Sequence, residues 1–259
     1  MPVRDPAHYP WPTPLRPGII GSRGWREQRW DPGRRQGRLP VLAVGSNASP
    51  GVLGDKLSGL LGVDDDSVYI EVCRVAGLGV GHSAHLSAPG YVAAAPFCQH
   101  LTGPPSTTSA DLAGGPDGPG RPDAESSGHR PDDSARAYSL SWLSTAQAAA
   151  LDATEPNYDR LPLRADAAVS NERAPAVIAG VTLYVSQHGV LAEDGQPVSL
   201  MSQPVARAWL RERLHCLRGL SDNEVFADPT VRESVRQELA NGGWVAASGL
   251  RPDRQPAGR

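Results

Sequence analysis

The chain lacks the features of a disulfide-stapled, membrane-spanning or nucleic-acid-binding protein. Its three cysteines, Cys73, Cys98 and Cys216, are an odd number without a C-x-x-C pair, which excludes a disulfide framework and favours reduced thiols. No apolar run approaches the ~18 residues that span a bilayer, and no apolar signal segment opens the chain. The net charge of −3 gives no electrostatic reason to expect nucleic acid or an anionic membrane. We therefore expect a cytoplasmic protein.

Lysine and phenylalanine are scarce as well. Lys56 is the only lysine among 25 basic residues, and the chain has two Phe. The apolar core must therefore come mainly from Val, Leu and Ala. Up to Arg38 the chain carries eight Arg against three acidic residues. We interpret this local charge as a solvated arm rather than a nucleic-acid contact.

Glycine and proline divide the chain into segments. The 28 Gly and 25 Pro cluster in Met1–Gly37, Gly103–Ser134 and Gly249–Arg259. Segment 103–134 has too little apolar surface to offset its ordering entropy, so it is predicted to be a disordered insertion. Segment 1–37 is predicted to be a partly disordered arm that packs onto the body through its tryptophans, and segment 249–259 a disordered tail. Residues 38–248 then form one domain.

The pattern of apolar residues favours short strands interleaved with single helices. This arrangement predicts an α+β fold in which helices flank a curved, barrel-like sheet of mixed or antiparallel strands. One helix is expected to be capped by Ser144 and Gln147, and another to place Val205, Trp209, Leu210 and Leu214 on one face. The expected strands are Leu39–Val44, Val68–Leu78, a region within Ala84–Phe97, Ala137–Trp142 and Ala176–Ser186, and the expected later helices are Gln203–Leu217 and Thr230–Asn241.

Two segments about 110 residues apart carry the chemistry. In Val41–Gly51, V-L-A-V-G-S-N-A-S-P-G, an apolar strand ends in small polar residues before a helix. Backbone N–H groups at such a turn are free to hold an anionic ligand. In Leu143–Arg160, L-S-T-A-Q-A-A-A-L-D-A-T-E-P-N-Y-D-R, a capped helix delivers the carboxylate of Glu155 at its end. A carboxylate placed there can act as a base on that ligand.

Together and in this order, the two segments resemble the γ-glutamylcyclotransferase-like superfamily. Its turn of the Y-G-S-N type is matched by Gly45, Ser46 and Asn47. Its later L-D-x-x-E-x-x-Y segment is matched by Leu151, Asp152, Glu155 and Tyr158. The stretches Pro89–Pro96 and Ala179–Val185 are also similar, so the resemblance covers about Leu39–Gln187 without the insertion.

The resemblance implies an enzyme that cleaves a γ-glutamyl amide, or a related amine-containing small molecule, to 5-oxoproline and a free amine. Glu155 would be the general acid/base, Gly45–Asn47 the substrate cradle with Val44 as a further substrate-binding residue, and Tyr158 a pocket wall or hydroxyl donor. The reaction needs no metal or organic cofactor. Two residues depart from the family pattern, because Val44 stands where a tyrosine usually opens the turn and Pro156 follows the glutamate. Both departures leave the predicted fold unchanged and bear on which substrate the site would accept.

Two other functions remain open at this point. One is a non-catalytic small-ligand or protein-interaction module on the same fold, favoured by Val44 and the long tails. The other is an amide-hydrolysing relative, in which water attacks.

Two further motifs in this part of the chain are set aside. The sequence at Gly81–His85 imitates a nucleophile elbow but has His where the second Gly belongs. His82, His85, Cys98 and His100 lack the spacing of zinc ligands, and His82 and His85 are expected on opposite strand faces.

Overall fold

The computed structural model describes residues 4–11, 13, 16–29, 31–62, 66–99, 136–163, 169–171, 174–220 and 224–251. The insertion predicted at 103–134 and the tail beyond residue 251 lie outside the described residues. The helices of the described part are α1 (Pro50–Lys56), α2 (Thr145–Ala153), α3 (Gln203–Arg213) and α4 (Pro229–Asn241). Its strands are β1 (Gly18–Gly21), β2 (Gly24–Glu27), β3 (Leu39–Ala43), β4 (Val68–Val75), β5 (Leu78–Leu86), β6 (Val92–Cys98), β7 (Arg136–Leu143), β8 (Tyr158–Pro162), β9 (Val169–Asn171), β10 (Ala174–Val177), β11 (Thr182–Ser186), β12 (Val190–Glu193), β13 (Gln196–Pro197) and β14 (Val245–Ala246).

The strands form two sheets. The larger runs in the order β10-β9-β4-β7-β3-β11-β8, with β1 on β4 and β2 on β1. The smaller runs β13-β12-β5-β6, with β14 on β12. All pairs are antiparallel except β3 with β11, where Thr182 pairs with Val41. The predicted α+β class with mixed strand pairing is confirmed, whereas the described strands make two sheets and no closed barrel.

Strand β3 is central because its sequence suits burial on both faces. It lies between β7 and β11, and Pro40–Ala43 are all buried. A strand covered on both faces is typically a continuous apolar run rather than an alternating one. The site turn follows β3 directly, so the core of the larger sheet fixes where that turn begins.

Two predicted strands are each divided by a turn. The strand expected over Val68–Leu78 ends at Val75, and Gly77, with φ +69°, reverses the chain into β5. The strand expected over Ala176–Ser186 is interrupted by a turn at Gly180, with φ +70°. At these two positions the left-handed backbone that glycine adopts without cost outweighs the β propensity of the neighbouring residues.

The helical predictions also need two corrections. Helix α3 ends at Arg213, and a separate 3₁₀ turn covers His215–Leu217. Val205 is 53% exposed, so its predicted place on the buried face is wrong. Trp209, Leu210 and Leu214 do join the core that α3 and α4 form against the smaller sheet. Among the described residues, none of the helices has the length and apolar character that crossing a bilayer requires.

The N-terminal arm contributes to the core in two places. Ile19 and Ile20 of β1 are buried as the strand pairs with β4. Tyr9 follows a 3₁₀ turn at Pro6–His8 and is only 3% exposed. The division of the chain at residues 37 and 248 stays a prediction. All three cysteines are free, as predicted.

Candidate active site

The turn after β3 has the predicted position but is more regular than expected. Gly45 is followed by a 3₁₀ turn at Ser46–Ala48, and α1 begins at Pro50. Asn47 is buried, with 9% of its surface exposed. A proline in the first turn of a helix costs no hydrogen bond, so the chain can pass from the turn into α1.

The predicted capping box positions Glu155. The Ser144 hydroxyl accepts the Gln147 N–H at 3.2 Å, and the Gln147 side chain accepts the Ser144 N–H at 2.9 Å. Helix α2 ends at Ala153, two residues before Glu155. The start of this helix is therefore fixed by a local signal that the sequence already contains.

A carboxylate and a guanidinium tie the end of α2 to β8. Arg160 donates two hydrogen bonds to Asp152, at 2.8 and 2.9 Å, and the Tyr184 hydroxyl donates a third at 2.7 Å. The Arg160 hydrogen bonds lower the pKa of Asp152. Asp152 therefore supports the segment that carries Glu155.

Glu155 forms a hydrogen-bonded triangle with Asn47 and Lys56. The Asn47 amide donates to Glu155 Oε1 at 2.9 Å, and the Lys56 ammonium donates to the same oxygen at 2.5 Å. Lys56 also donates to Asn47 Oδ1 at 2.8 Å. The Lys56 and Glu155 side chains are only 13% and 12% exposed. The one lysine of the chain is thus paired with the predicted catalytic carboxylate.

This pairing has a chemical consequence. A buried carboxylate is costly unless a charge and hydrogen bonds compensate it, and Lys56 and Asn47 supply both. Glu155 therefore has a cation and an amide as partners in a place from which water is largely excluded, a position that suits a general base. Sequence reasoning did not assign Lys56 to the site. The fact that Lys56 is the only lysine in the sequence was the one signal that could have pointed to it.

Tyrosines form the walls of the site. The Tyr158 hydroxyl donates to the backbone carbonyl of Ala94 in β6 at 3.1 Å, which joins the two sheets at the site. Tyr91 and Tyr184 line the same cavity. Burial raises the pKa of Tyr91 to about 12 and that of Tyr158 well above its usual range. These side chains remain neutral hydroxyls and can act as hydrogen-bond donors.

Tyr9 of the arm lies inside this cavity. Its hydroxyl accepts the Ala94 N–H at 2.7 Å, and a Cβ on Gly45 would come within 2.5 Å of it. The Tyr9 ring stacks on Tyr91 with centroids 4.3 Å apart, and Trp11 packs edge-on against both rings. The remaining cavity is only about 50 Å³, room for a few waters.

A buried cluster of polar residues lies behind Tyr158. The Ser83 hydroxyl is within hydrogen-bond distance of His85 Nδ1 at 2.5 Å and of the Ser186 hydroxyl at 2.6 Å. Burial lowers the pKa of His85 to about 3, so its ring is neutral. Ser83 is fully buried, which denies a substrate access to the Ser83–His85 pair.

His82, another of the four residues considered as zinc ligands, bonds with the Val92 carbonyl and the Met201 N–H, at 3.2 and 2.9 Å, and His100 lies outside the described residues. Within the described part of the chain, no three His, Cys, Asp or Glu side chains are grouped as metal ligands.

The six residues predicted for the site all line one cavity: Val44, Gly45, Ser46, Asn47, Glu155 and Tyr158. Sequence reasoning missed Lys56, Tyr9, Tyr91 and Ala94, whose part in the site depends on contacts between distant segments. No family model matches the chain, and neither a curated protein nor a solved structure does.

Proposed function

We propose that the protein is a cytoplasmic γ-glutamylcyclotransferase-like enzyme that converts a γ-glutamyl amide to 5-oxoproline and a free amine. The observation that carries the proposal is the hydrogen bond from Asn47 to Glu155, which joins the two motif segments across 108 residues. The proposal extends to the fold, which we assign to the curved, barrel-like sheet architecture of that superfamily.

In the proposed reaction, Glu155 moves protons between two nitrogens of the substrate. It accepts a proton from the α-ammonium, and the freed amine attacks the γ-carbonyl carbon. The new C–N bond closes the five-membered ring while the original amide C–N bond breaks. The ring keeps one N–H, and the leaving amine departs with the protons that the attacking nitrogen has lost. Lys56 holds the carboxylate in place through its hydrogen bond to Oε1.

The turn at Gly45–Asn47 contributes main-chain donors. Attack on the carbonyl places negative charge on its oxygen, and an N–H aimed at that position stabilises the charge as it develops. Tyr158 supplies a neutral hydroxyl at the wall. Folding the substrate so that its amine meets its own carbonyl accounts for a further large part of the rate, since well-oriented groups reach high effective molarities.

The test is a screen of γ-glutamyl amides for release of 5-oxoproline, with the wild type and Glu155→Gln in parallel. Gln keeps the size of the side chain but removes the base, so turnover should fall by about 10²- to 10⁴-fold. Asp159→Asn is the matched control, because Asp159 is a neighbouring exposed carboxylate that pairs with Arg251. Equal activity of Glu155→Gln, or no 5-oxoproline from the wild type, would contradict the proposal.

A non-catalytic small-ligand or protein-interaction module on the same fold is the second candidate function. The filled cavity favours it over the enzyme, because about 50 Å³ is well below the ~300–1,000 Å³ of typical ligand pockets and leaves no room for a substrate beside Tyr9. It predicts that neither the wild type nor Glu155→Gln releases 5-oxoproline from a γ-glutamyl amide, whether or not they bind it. Calorimetric titration combined with product analysis separates the two functions.

A further inference from the structure

The Tyr9 hydroxyl occupies a position that a ligand oxygen would need. It accepts a hydrogen bond from the Ala94 N–H at 2.7 Å, and the Gly45 backbone approaches the same oxygen so closely that a Cβ there would lie 2.5 Å from it. The two backbone segments come from different sheets, Ala94 from β6 and Gly45 from the turn after β3. A main-chain N–H aimed at an oxygen position is a donor of the kind that holds a carboxylate or an oxyanion.

We propose that the Ala94 N–H and the open backbone at Gly45 form a binding site for a negatively charged ligand oxygen, and that Tyr9 occupies it as a built-in plug. A ligand enters only when the segment 4–11 moves away. The identity of the ligand as a γ-glutamyl compound rests on the proposed function, whereas the site and its plug do not.

The absence of a side chain at Gly45 supports this assignment. A Cβ there would lie 2.5 Å from the Tyr9 oxygen and 3.2 Å from the Ala94 side chain. Real Cβ atoms do not approach an oxygen so closely, so the backbone at Gly45 is open to an oxygen atom. In this structure the oxygen that uses the opening belongs to the protein's own arm.

The arm is held in a way that permits release. The 3₁₀ turn at Pro6–His8 buries none of its residues, and segment 4–11 belongs to none of the described strands. Arg4 pairs with Asp55 at 2.7 Å, and both side chains are about one-third exposed. Beyond this surface ion pair, the arm is attached by Tyr9, which is buried in the core, accepts the Ala94 N–H and packs with Trp11 on Tyr91. A few contacts of this kind can be exchanged for a ligand.

The first experiment measures binding of two carboxylate probes, 5-oxoproline and acetate, by titration calorimetry to the full chain. Tyr9→Ala empties the site and should bind 5-oxoproline at least about tenfold more tightly than the wild type, because the cost of opening is gone. Tyr9→Phe keeps the ring and frees the Ala94 N–H, so its affinity should fall between those of the wild type and Tyr9→Ala. Arg16→Ala is the matched control, since Arg16 pairs with exposed Glu27 elsewhere in the arm.

Arg4→Ala tests the plug without altering the cavity. It loosens the arm at Asp55 and should also raise the affinity, by less than Tyr9→Ala does. If Tyr9→Ala fails to fold by circular dichroism, the comparison of Tyr9→Phe and Arg4→Ala with the wild type still decides the question.

Hydrogen exchange gives an independent measurement on the wild type. Saturating 5-oxoproline should increase amide exchange in the peptide covering residues 5–11. Unchanged exchange, or no gain in affinity in any of the three variants, would overturn the proposal. So would weaker binding by Tyr9→Phe, which would make Tyr9 a permanent donor to the ligand.

The outcomes of these measurements distinguish rejection of the plug from rejection of the proposed enzyme activity. A gain in carboxylate affinity without turnover of any γ-glutamyl amide would retain the plugged site and reject the enzyme. Turnover that Tyr9→Ala leaves unchanged, with unchanged binding, would retain the enzyme and reject the plug.

Discussion

Replacement of Lys56 by methionine tests whether Glu155 depends on its buried partner. Methionine keeps the unbranched apolar stem and removes only the ammonium. Glu155, with 12% of its side chain exposed, is then left with the Asn47 amide as its remaining donor. Breaking a buried ion pair from one side costs about 3–5 kcal/mol, because the other charge stays buried and uncompensated.

The exposed fraction places the expected effect at the lower end of that range. Both side chains retain some contact with water, so we expect Lys56→Met to reduce the free energy of unfolding by about 3 kcal/mol. For a chain of this size each kcal/mol shifts the melting temperature by about 2–4 °C, which gives a decrease of about 6–12 °C. Urea titration and thermal melting both resolve a change of this size.

The double variant Lys56→Met/Glu155→Gln makes the test specific. It removes both charges, so its stability should return to within about 1 kcal/mol of the wild type. Arg160→Met is the control for a more exposed ion pair and should cost about 1 kcal/mol or less. A Lys56→Met variant as stable as the Arg160→Met control, or a double variant no more stable than Lys56→Met, would refute the buried pair.

Three further predictions concern the surroundings of the site. Burial lowers the pKa of His82 to about 4 and that of His85 to about 3, so the stability they contribute is present above pH 6.5 and is lost as the pH falls towards those values. Each should cost about 2 kcal/mol at pH 5, which urea titration at pH 7 and pH 5 checks, with His85→Asn flattening the dependence. Gln147→Ala removes the half of the capping box in which the Gln147 side chain accepts the Ser144 N–H, and also the hydrogen bond to the Asp66 carbonyl, and should cost about 2–3 kcal/mol in the same assay. Gly45→Ala should displace the Tyr9 hydroxyl and raise exchange in the arm, and Tyr9→Ala should relieve its loss of stability.

Local signals in the sequence were sufficient for the two halves of the site. The capping box at Ser144 and Gln147 predicts where α2 begins, and the apolar run before Gly45 predicts the buried strand. Both depend on residues within a few positions of each other, so no tertiary information was needed. The resemblance then supplied the expectation that the halves meet, and Asn47 and Glu155 do lie in contact.

Contacts between distant segments account for what the sequence did not reveal. Lys56 meets Glu155 across 99 residues, and Tyr9 meets Ala94 across 85. Neither lysine nor tyrosine has a local pattern that indicates such a partner. The exposed Val205 fails for a related reason, because helical periodicity predicts an apolar face but not how much of it the neighbouring elements cover.

The valine at position 44 takes on a different meaning in the folded chain. In the sequence it removes a tyrosine from the turn motif and suggests a cavity short of one aromatic wall and one hydroxyl. In the structure, Tyr91, just before β6, and Tyr9 of the arm stack at the same cavity, so aromatic surface and hydroxyls are present there. They come from segments outside the turn, and Tyr9 fills the space that the proposed ligand would need. We therefore expect selection of a ligand by this protein to depend on the position of its arm as well as on the turn that the motif describes.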